Sequence, residues 1–461
     1  MKIGQVLTVD INDIGMSGDG IVRLPNYTIF IPDALTGEIC EVEVTSIREN
    51  IVRAKLNKII LESTDRQKPI CPLFGECGGC DVMHMKYAKQ LEFKKNALAT
   101  ILRKNAGYTK PIPTPVASSD QLHYRNKLQM PFGQVRNKPI LGFYEKKTHN
   151  IVSIYNCFLH AGWGSKVLAI TRKFAQDTNQ TIYNEKTKKG LLKHLVVRYV
   201  DGVMIVALVI NGDTVENINV FINELKRAFK KVTVYISINK QHNNVVMGDT
   251  FIKASKATYP INVSGITLEL GPHSFFQVND NIREKMFNDL VADIMAVAQP
   301  TVIDAFGGVG LIGALCAKAG ASVYNIEIEP SAIEDANKLA KNNNLTITNI
   351  CGDIAEKLPQ LLKTLLESKR ENIKVILDPP RKGLAVSITE ALVETSKIQA
   401  FEIYYISCNP PTLTRDMSLM SETFEVVYVK PYDMFPQTQH LETLVKLRTR
   451  KIGKRSKLRK P

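Results

Sequence analysis

Apolar and polar positions alternate through the first 60 residues. Segments 3–9, 28–31, 38–44 and 51–59 each read as a strand with one buried face. Gly15, Gly18, Gly20, Pro25, Pro32 and Gly37 punctuate them, which predicts a small β-barrel with tight turns. From 87 to about 105 the apolar residues recur at helical spacing. Residues 111–120, rich in Pro and Ser, read as a linker. Between 123 and 270 the pattern is mostly strand-like, with helices near 162–178 and 214–230, as in an α+β domain. The longest apolar run, 203–210, is far too short to span a bilayer and reads as a buried strand.

From about 283 the rhythm changes. Strands at 301–304, 322–326, 347–351, 374–377, 401–406 and 425–429 are separated by helical stretches, among them 311–318, 330–342 and 361–368. Such alternation predicts a doubly wound, mostly parallel sheet, so the fold class is multidomain α/β with a Rossmann-like C-terminal part. At 461 residues there is room for two to four domains.

The formal net charge of +15 favours a polyanionic partner such as nucleic acid. The segment 446–461 is strongly basic, contains no acidic residue and reads as a candidate nucleic-acid arm or solvated tail. No signal-peptide pattern is present, and eight unevenly placed cysteines do not form a disulfide framework. A reducing cytoplasmic location follows, without a membrane partner. A monomer is expected, because no amphipathic element is left over for a partner.

Candidate chemistry gathers at the predicted strand ends. Cys408 follows the strand at 401–406 and precedes Asn409-Pro410-Pro411, and Asp378 follows the strand at 374–377 and precedes Pro379-Pro380-Arg381. A thiol and a carboxylate at neighbouring strand ends suggest covalent catalysis on a polar planar substrate. The turn Asp304-Ala305-Phe306-Gly307-Gly308-Val309-Gly310 lets backbone approach a ligand closely. Its spacing is not a dinucleotide fingerprint. Glu327 ends the next strand, where it is suited to ribose hydroxyls, and Asp353 follows the third, where it is suited to an adenine amino group. An adenosyl cofactor without pyrophosphate, S-adenosylmethionine, fits this set. Cys71, Cys77 and Cys80 form a soft thiolate cluster suited to zinc or an iron–sulfur cluster, with the fourth ligand open among Cys40, Cys157, Cys316, Cys351 and Cys408.

In order, Ser274-Phe275-Phe276-Gln277-Val278-Asn279, Asp378-Pro379-Pro380-Arg381-Lys382-Gly383, Ser407-Cys408-Asn409-Pro410 and His440-Leu441-Glu442-Thr443 resemble the motifs of class I RNA uracil-5-methyltransferases, specifically the bacterial 23S ribosomal RNA branch. The turn at 15–21 resembles that of a TRAM domain. The resemblance implies Cys408 as nucleophile, Glu442 as general base, and Gln277, Phe306 and Asp378 beside cofactor and base. It also implies that Arg125 contacts a flipped uridine, and that Cys71, Cys77, Cys80 and Cys157 hold a [4Fe–4S] cluster. The implied domains are a TRAM RNA-binding barrel at 1–60, a central cluster domain at 61–275, an S-adenosylmethionine-dependent methyltransferase domain at 276–450 and a basic tail at 451–461. The sequence departs from the family pattern at Asp81-Val82-Met83-His84, where many relatives carry Gln before the His, and at Leu311, where some place a polar residue.

The expected function is therefore methyl transfer from S-adenosylmethionine to uridine carbon 5 of 23S ribosomal RNA through a covalent cysteine adduct. The alternatives are the same reaction on transfer RNA and a non-catalytic RNA-binding assembly factor. The transfer-RNA branch generally lacks both barrel and cysteine cluster, which weighs against it here.

Overall fold

Each residue of the run 203–210 is buried, the signature of a strand covered on both faces. Burying a Val, Leu or Ile side chain contributes about 1.5–3 kcal/mol, and the six in this run hold the middle of the molecule firmly. The computed structural model describes residues 1–272 and 274–450. The tail expected at 451–461 lies outside the described residues.

The first sheet contains β1 (Val6–Asp10), β2 (Asp13–Ile14), β3 (Gly20–Leu24), β4 (Tyr27–Ile31), β5 (Ile39–Arg48) and β6 (Ile51–Leu61), in the order β1-β5-β6-β4-β3-β2. Ile11, Ile29, Ile31, Cys40, Val42 and Val52 fill its core. Gly20 is required by packing: a Cβ there would stand 2.9 Å from the Ala34 side chain and carbonyl and from Ile11. Leu35 joins Val82, Met85 and Phe93 in a separate apolar cluster that anchors the barrel to the cysteine-rich segment.

Helix α1 (Tyr87–Ala106) follows, closed by Gly107 in the left-handed region at φ 62°. Next come β7 (Lys127–Val135), β8 (Lys138–Tyr144), β9 (Ile151–Ser153), α2 (Gly162–Asp177), β10 (Leu192–Val200), β11 (Val203–Ile210), α3 (Ile218–Ala228), β12 (Lys231–Ile238) and β13 (Thr250–Lys253). The seven strands lie in the order β13-β12-β11-β10-β7-β8-β9, and α2 and α3 supply Trp163, Phe174 and Phe221 to the core beneath. A hairpin, β14 (Ile261–Val263) and β15 (Ile266–Leu268), packs its apolar residues into the core of the last domain.

That domain comprises α4 (Asp280–Ile294), β16 (Thr301–Ala305), α5 (Leu311–Lys318), β17 (Ser322–Glu327), α6 (Pro330–Asn342), β18 (Ile347–Cys351), α7 (Ile354–Glu367), β19 (Ile373–Leu377), α8 (Val386–Ser396), β20 (Glu402–Ser407), α9 (Pro410–Met420), β21 (Phe424–Tyr432) and β22 (Glu442–Thr449). The order is β18-β17-β16-β19-β20-β22-β21, parallel through β20 and antiparallel at β22 and β21. Multidomain α/β with a largely parallel C-terminal sheet is thus the architecture found.

Two expectations need correction. Residues 446–449 are not the start of a basic arm but the end of β22, where Lys446 pairs with Asp293 and Glu402 and Arg448 with Glu425. The segment 111–120 is docked on the catalytic sheet: the Val116 N–H donates to the Pro431 carbonyl, and Asp433 N–H returns to the Val116 carbonyl. Helix α1 packs Leu98, Ile101 and Leu102 against Leu413, Met417 and Met420 of α9. Among the described residues no helix is long and apolar enough to cross a membrane.

Candidate active site

The ends of β19, β20 and β22 form the centre. β20 and β22 are antiparallel with Ser407 opposite Thr443, so the next residue on one strand, Cys408, stands beside the preceding residue on the other, Glu442. Leu377 pairs with Tyr405, which brings Asp378 out at the same edge of the sheet. Beyond Cys408, Pro410 and Pro411 start α9, a position proline tolerates because the first N–H groups of a helix lack internal partners. The Asn409 side chain and the Thr412 hydroxyl both donate to the Arg381 carbonyl, at 2.7 and 3.2 Å, fixing the two turns against each other.

Arg381 is the cation of this group. Burial pushes the Cys408 thiol above its ordinary value and the Glu442 charge pushes the same way, while Arg381 hydrogen-bonds the sulfur and pulls it down. Of the two arginines the sequence offers near Cys408, Arg415 is engaged elsewhere: it pairs with Asp416 at 2.6 Å and donates to the Leu384 carbonyl at 2.9 Å. Glu442 is buried, and burial, with Asp378 adding to it, raises its carboxyl well above the ordinary range. Asp378 itself is pushed up to about 7 by burial and by the charge of Asp304. A thiol so placed is mostly protonated at rest, and Arg381 is the group positioned to draw out the thiolate.

The glycine turn follows β16. Phe306, Gly308 and Gly310 all lie in the left-handed region, at φ 66°, 56° and 77°. A Cβ on Gly308 would meet nothing within 4 Å, so the turn presents bare backbone to open space. The Gly308 N–H donates to Glu327 Oε2 at 3.0 Å, which ties the end of β17 to the turn. Asp304 is buried beneath, pushed up to about 7 chiefly by burial, with Oδ2 held by the Gly313 N–H and Oδ1 without a partner. Asp353 caps α7 by accepting the Ala355 N–H at 2.9 Å. Gln277 is buried in a segment clamped from the central sheet: Asn126 donates to its carbonyl at 2.9 Å, and Arg198 to the carbonyls of Ser274 and Phe276.

Cys71, Cys77, Cys80 and Cys157 line a single pocket, joined there by Arg125, Phe143 and Leu159. All four are free thiols. Burial raises Cys77, Cys80 and Cys157, and the other cysteines raise them further, whereas Arg125 lowers Cys80 and Cys157. Among the described residues no group of three or more His, Cys, Asp or Glu is placed to hold a single metal ion. Arg125 lies against the thiol pocket, and its charge also acts on His440, two residues from Glu442.

Sequence reading placed these thiols and the strand-end acids, but not what holds them together. The loop 433–441 before Glu442 is gripped by Gln90, Lys94, Tyr124 and Asp81, residues more than 300 positions away. His440, two residues before Glu442, has its imidazole held below the ordinary value by burial and by Arg381.

The family model of tRNA (Uracil-5-)-methyltransferase matches residues 86–450, and the TRAM domain model matches residues 1–56. An uncharacterized RNA methyltransferase of Staphylococcus epidermidis is 34% identical over 96% of this chain and 97% of its own length. One from Staphylococcus aureus is 34% identical over 95% and 97%. Among solved structures, the Pyrococcus abyssi tRNA (uracil-54, C5)-methyltransferase in complex with S-adenosyl-L-homocysteine aligns with TM-score 0.75 and 24% identity, covering 95% of this chain and 99% of that one.

Proposed function

Because the chain belongs to the tRNA (uracil-5-)-methyltransferase family and carries a TRAM domain, it is an S-adenosylmethionine-dependent RNA methyltransferase, and we propose that it methylates carbon 5 of a uridine in 23S ribosomal RNA through a covalent adduct on Cys408. The observation carrying this reading is the placement of Cys408 and Glu442 side by side on β20 and β22, with Arg381 on the sulfur.

Uracil carbon 5 is too weak a nucleophile to take a methyl group unaided. The Cys408 thiolate adds to carbon 6, forming an S–C bond and moving the double-bond electrons into an enolate. Bound S-adenosylmethionine would supply an electrophilic methyl on its sulfonium: carbon 5 of the enolate takes that methyl, and S-adenosylhomocysteine leaves with the electron pair of the broken S–C bond. Carbon 5 then bears both methyl and proton. Glu442 takes the proton, the electron pair restores the double bond, and the S–C bond to Cys408 breaks. Burial raises the Glu442 carboxyl, which makes its carboxylate a stronger base for that proton. The open glycine turn, Phe306 and Glu327 fit the adenosyl half, with Asp353 and Gln277 at its margins. The target base must leave its stack, which costs a few kcal/mol and is easiest in loops. The net charge of +15 favours holding the RNA while it does so.

Cys71, Cys77, Cys80 and Cys157 are read as ligands of a [4Fe–4S] cluster, supported by their convergence on one pocket. The ribosomal target is favoured by the motif pattern and by this cysteine set. The second reading, transfer RNA, draws support from the Pyrococcus abyssi neighbour, which is named for a transfer-RNA position and whose fold covers 95% of this chain. A barrel and a central domain therefore do not by themselves weigh against transfer RNA.

RNA in which uridine is replaced by 5-fluorouridine tests the mechanism, because fluorine cannot leave carbon 5 as a proton. With S-adenosylmethionine, the wild-type protein should form an adduct that survives a denaturing gel, and Cys408→Ala should form none. Absence of adduct with active wild-type protein would overturn the covalent route.

A further inference from the structure

Gln437 sits five positions before Glu442 in a buried loop, with φ 70°, the left-handed region that favours glycine. Nothing local requires this backbone. It is imposed from outside. The Gln437 carbonyl accepts the N–H groups of Asp81 and Val82 at 3.0 and 3.1 Å, the two residues directly after Cys80. Its own N–H donates to Gln90 Oε1 at 3.0 Å, and its side-chain oxygen accepts from Gln90 Nε2 at 2.9 Å, a reciprocal amide pair with α1. Its Nε2 donates to the Gln121 carbonyl at 3.3 Å. Two residues on, the Gln439 N–H donates to Asp81 Oδ2 at 3.3 Å, and Thr438 Oγ1 accepts the His440 N–H at 3.2 Å.

We infer that Gln437 is a positioning residue for Glu442, through which the four-thiol pocket and α1 set the place of the general base. The inference rests on the reading of Glu442 as that base. The physical route is short. Asp81 and Val82 follow Cys80 directly, so their N–H groups are placed by the thiol pocket on one side and by the apolar cluster around Val82 on the other. Released from them or from Gln90, residue 437 relaxes towards negative φ, and the chain leading into β22 is redirected. Glu442 then enters the site at the wrong angle, although Cys408, on a different strand, is untouched.

This arrangement predicts an effect on one chemical step. Nucleophilic addition and methyl transfer should proceed, while removal of the carbon 5 proton slows, so the methylated RNA remains joined to Cys408. Gln90→Met removes both amide bonds at similar size, and Gln437→Gly removes the amide while keeping the backbone permitted. Each should lower kcat about tenfold with KM for RNA and S-adenosylmethionine within about twofold. Denaturing gels of reactions with unmodified RNA should show adduct accumulating in both variants. Glu442→Gln is the control for the underlying reading: if it accumulates no adduct, the base assignment has failed, whatever Gln90→Met does. If Glu442→Gln accumulates adduct but Gln90→Met and Gln437→Gly turn over like wild type without it, the positioning role is overturned. The link to the thiol pocket is read separately by hydrogen exchange. Amides 438–442 should exchange faster in Asp81→Ala and in Cys80→Ser, with β16 as unchanged internal reference. Unchanged exchange at 438–442 in Asp81→Ala would break that link.

Discussion

At the scale of single residues, Cys408 was legible because a polar, reactive side chain directly after an apolar strand has few structural reasons to be there. Its activation was not, since Arg415 is nearer to Cys408 in sequence than Arg381 and only the fold gives Arg381 to the sulfur. Unperturbed cysteine is only a few per cent thiolate at pH 7, and burial lowers that further. Arg381→Met should therefore move the pH–rate profile to higher pH by about one unit and cost about tenfold in kcat/KM at neutral pH. A profile unmoved on the pH axis would dismiss Arg381 as the activator. Asp378 offers a check on stability. Its folded-state value of about 7 lies above that of an unfolded Asp, so its stabilising share is complete below about pH 4 and is lost as pH rises through about 7. Asp378→Asn should leave the melting temperature unchanged at or below pH 4 relative to wild type. At pH 8 it should raise it by about 2 °C or more, as followed by calorimetry.

At the scale of elements, α5, α6 and β18 occupy the residues that periodicity assigned them, because Gly, Pro and Asn punctuate each boundary. β22 was not read as a strand. Lys446 and Arg448 alternate with apolar residues there and resemble a solvated tail, but Asp293, Glu402 and Glu425 from other elements neutralise them. No local pattern announces such partners. The same holds for Lys94 on α1, fully buried against Asp433 at 2.5 Å and donating also to the Phe435 carbonyl. Removing one partner of a buried pair leaves an uncompensated charge. Lys94→Met should thus lower unfolding free energy by about 3–5 kcal/mol, and adding Asp433→Asn should restore much of it. Urea titrations of the single and double variants decide, and equal losses in both would mean that the pair is not the source.

At the scale of the whole molecule, three layers of chain meet at one loop. The barrel packs on the cysteine segment through Val82 and Met85, the segment grips the loop 433–441, and that loop delivers Glu442 to the catalytic sheet. If the four-thiol pocket holds a [4Fe–4S] cluster, anaerobically purified protein should carry about four iron atoms per chain, and Cys157→Ser should lose them. Iron content at background in anaerobic wild-type protein would remove the cluster from the picture. The most direct measurement of the central claim is mass spectrometry of nucleosides from ribosomal and transfer RNA lacking the modification, incubated with S-adenosylmethionine and either wild-type protein or Cys408→Ala. The expected result is 5-methyluridine in 23S ribosomal RNA with wild type and none with Cys408→Ala. 5-Methyluridine in transfer RNA alone would contradict the ribosomal target, and equal yield from Cys408→Ala would contradict the mechanism itself.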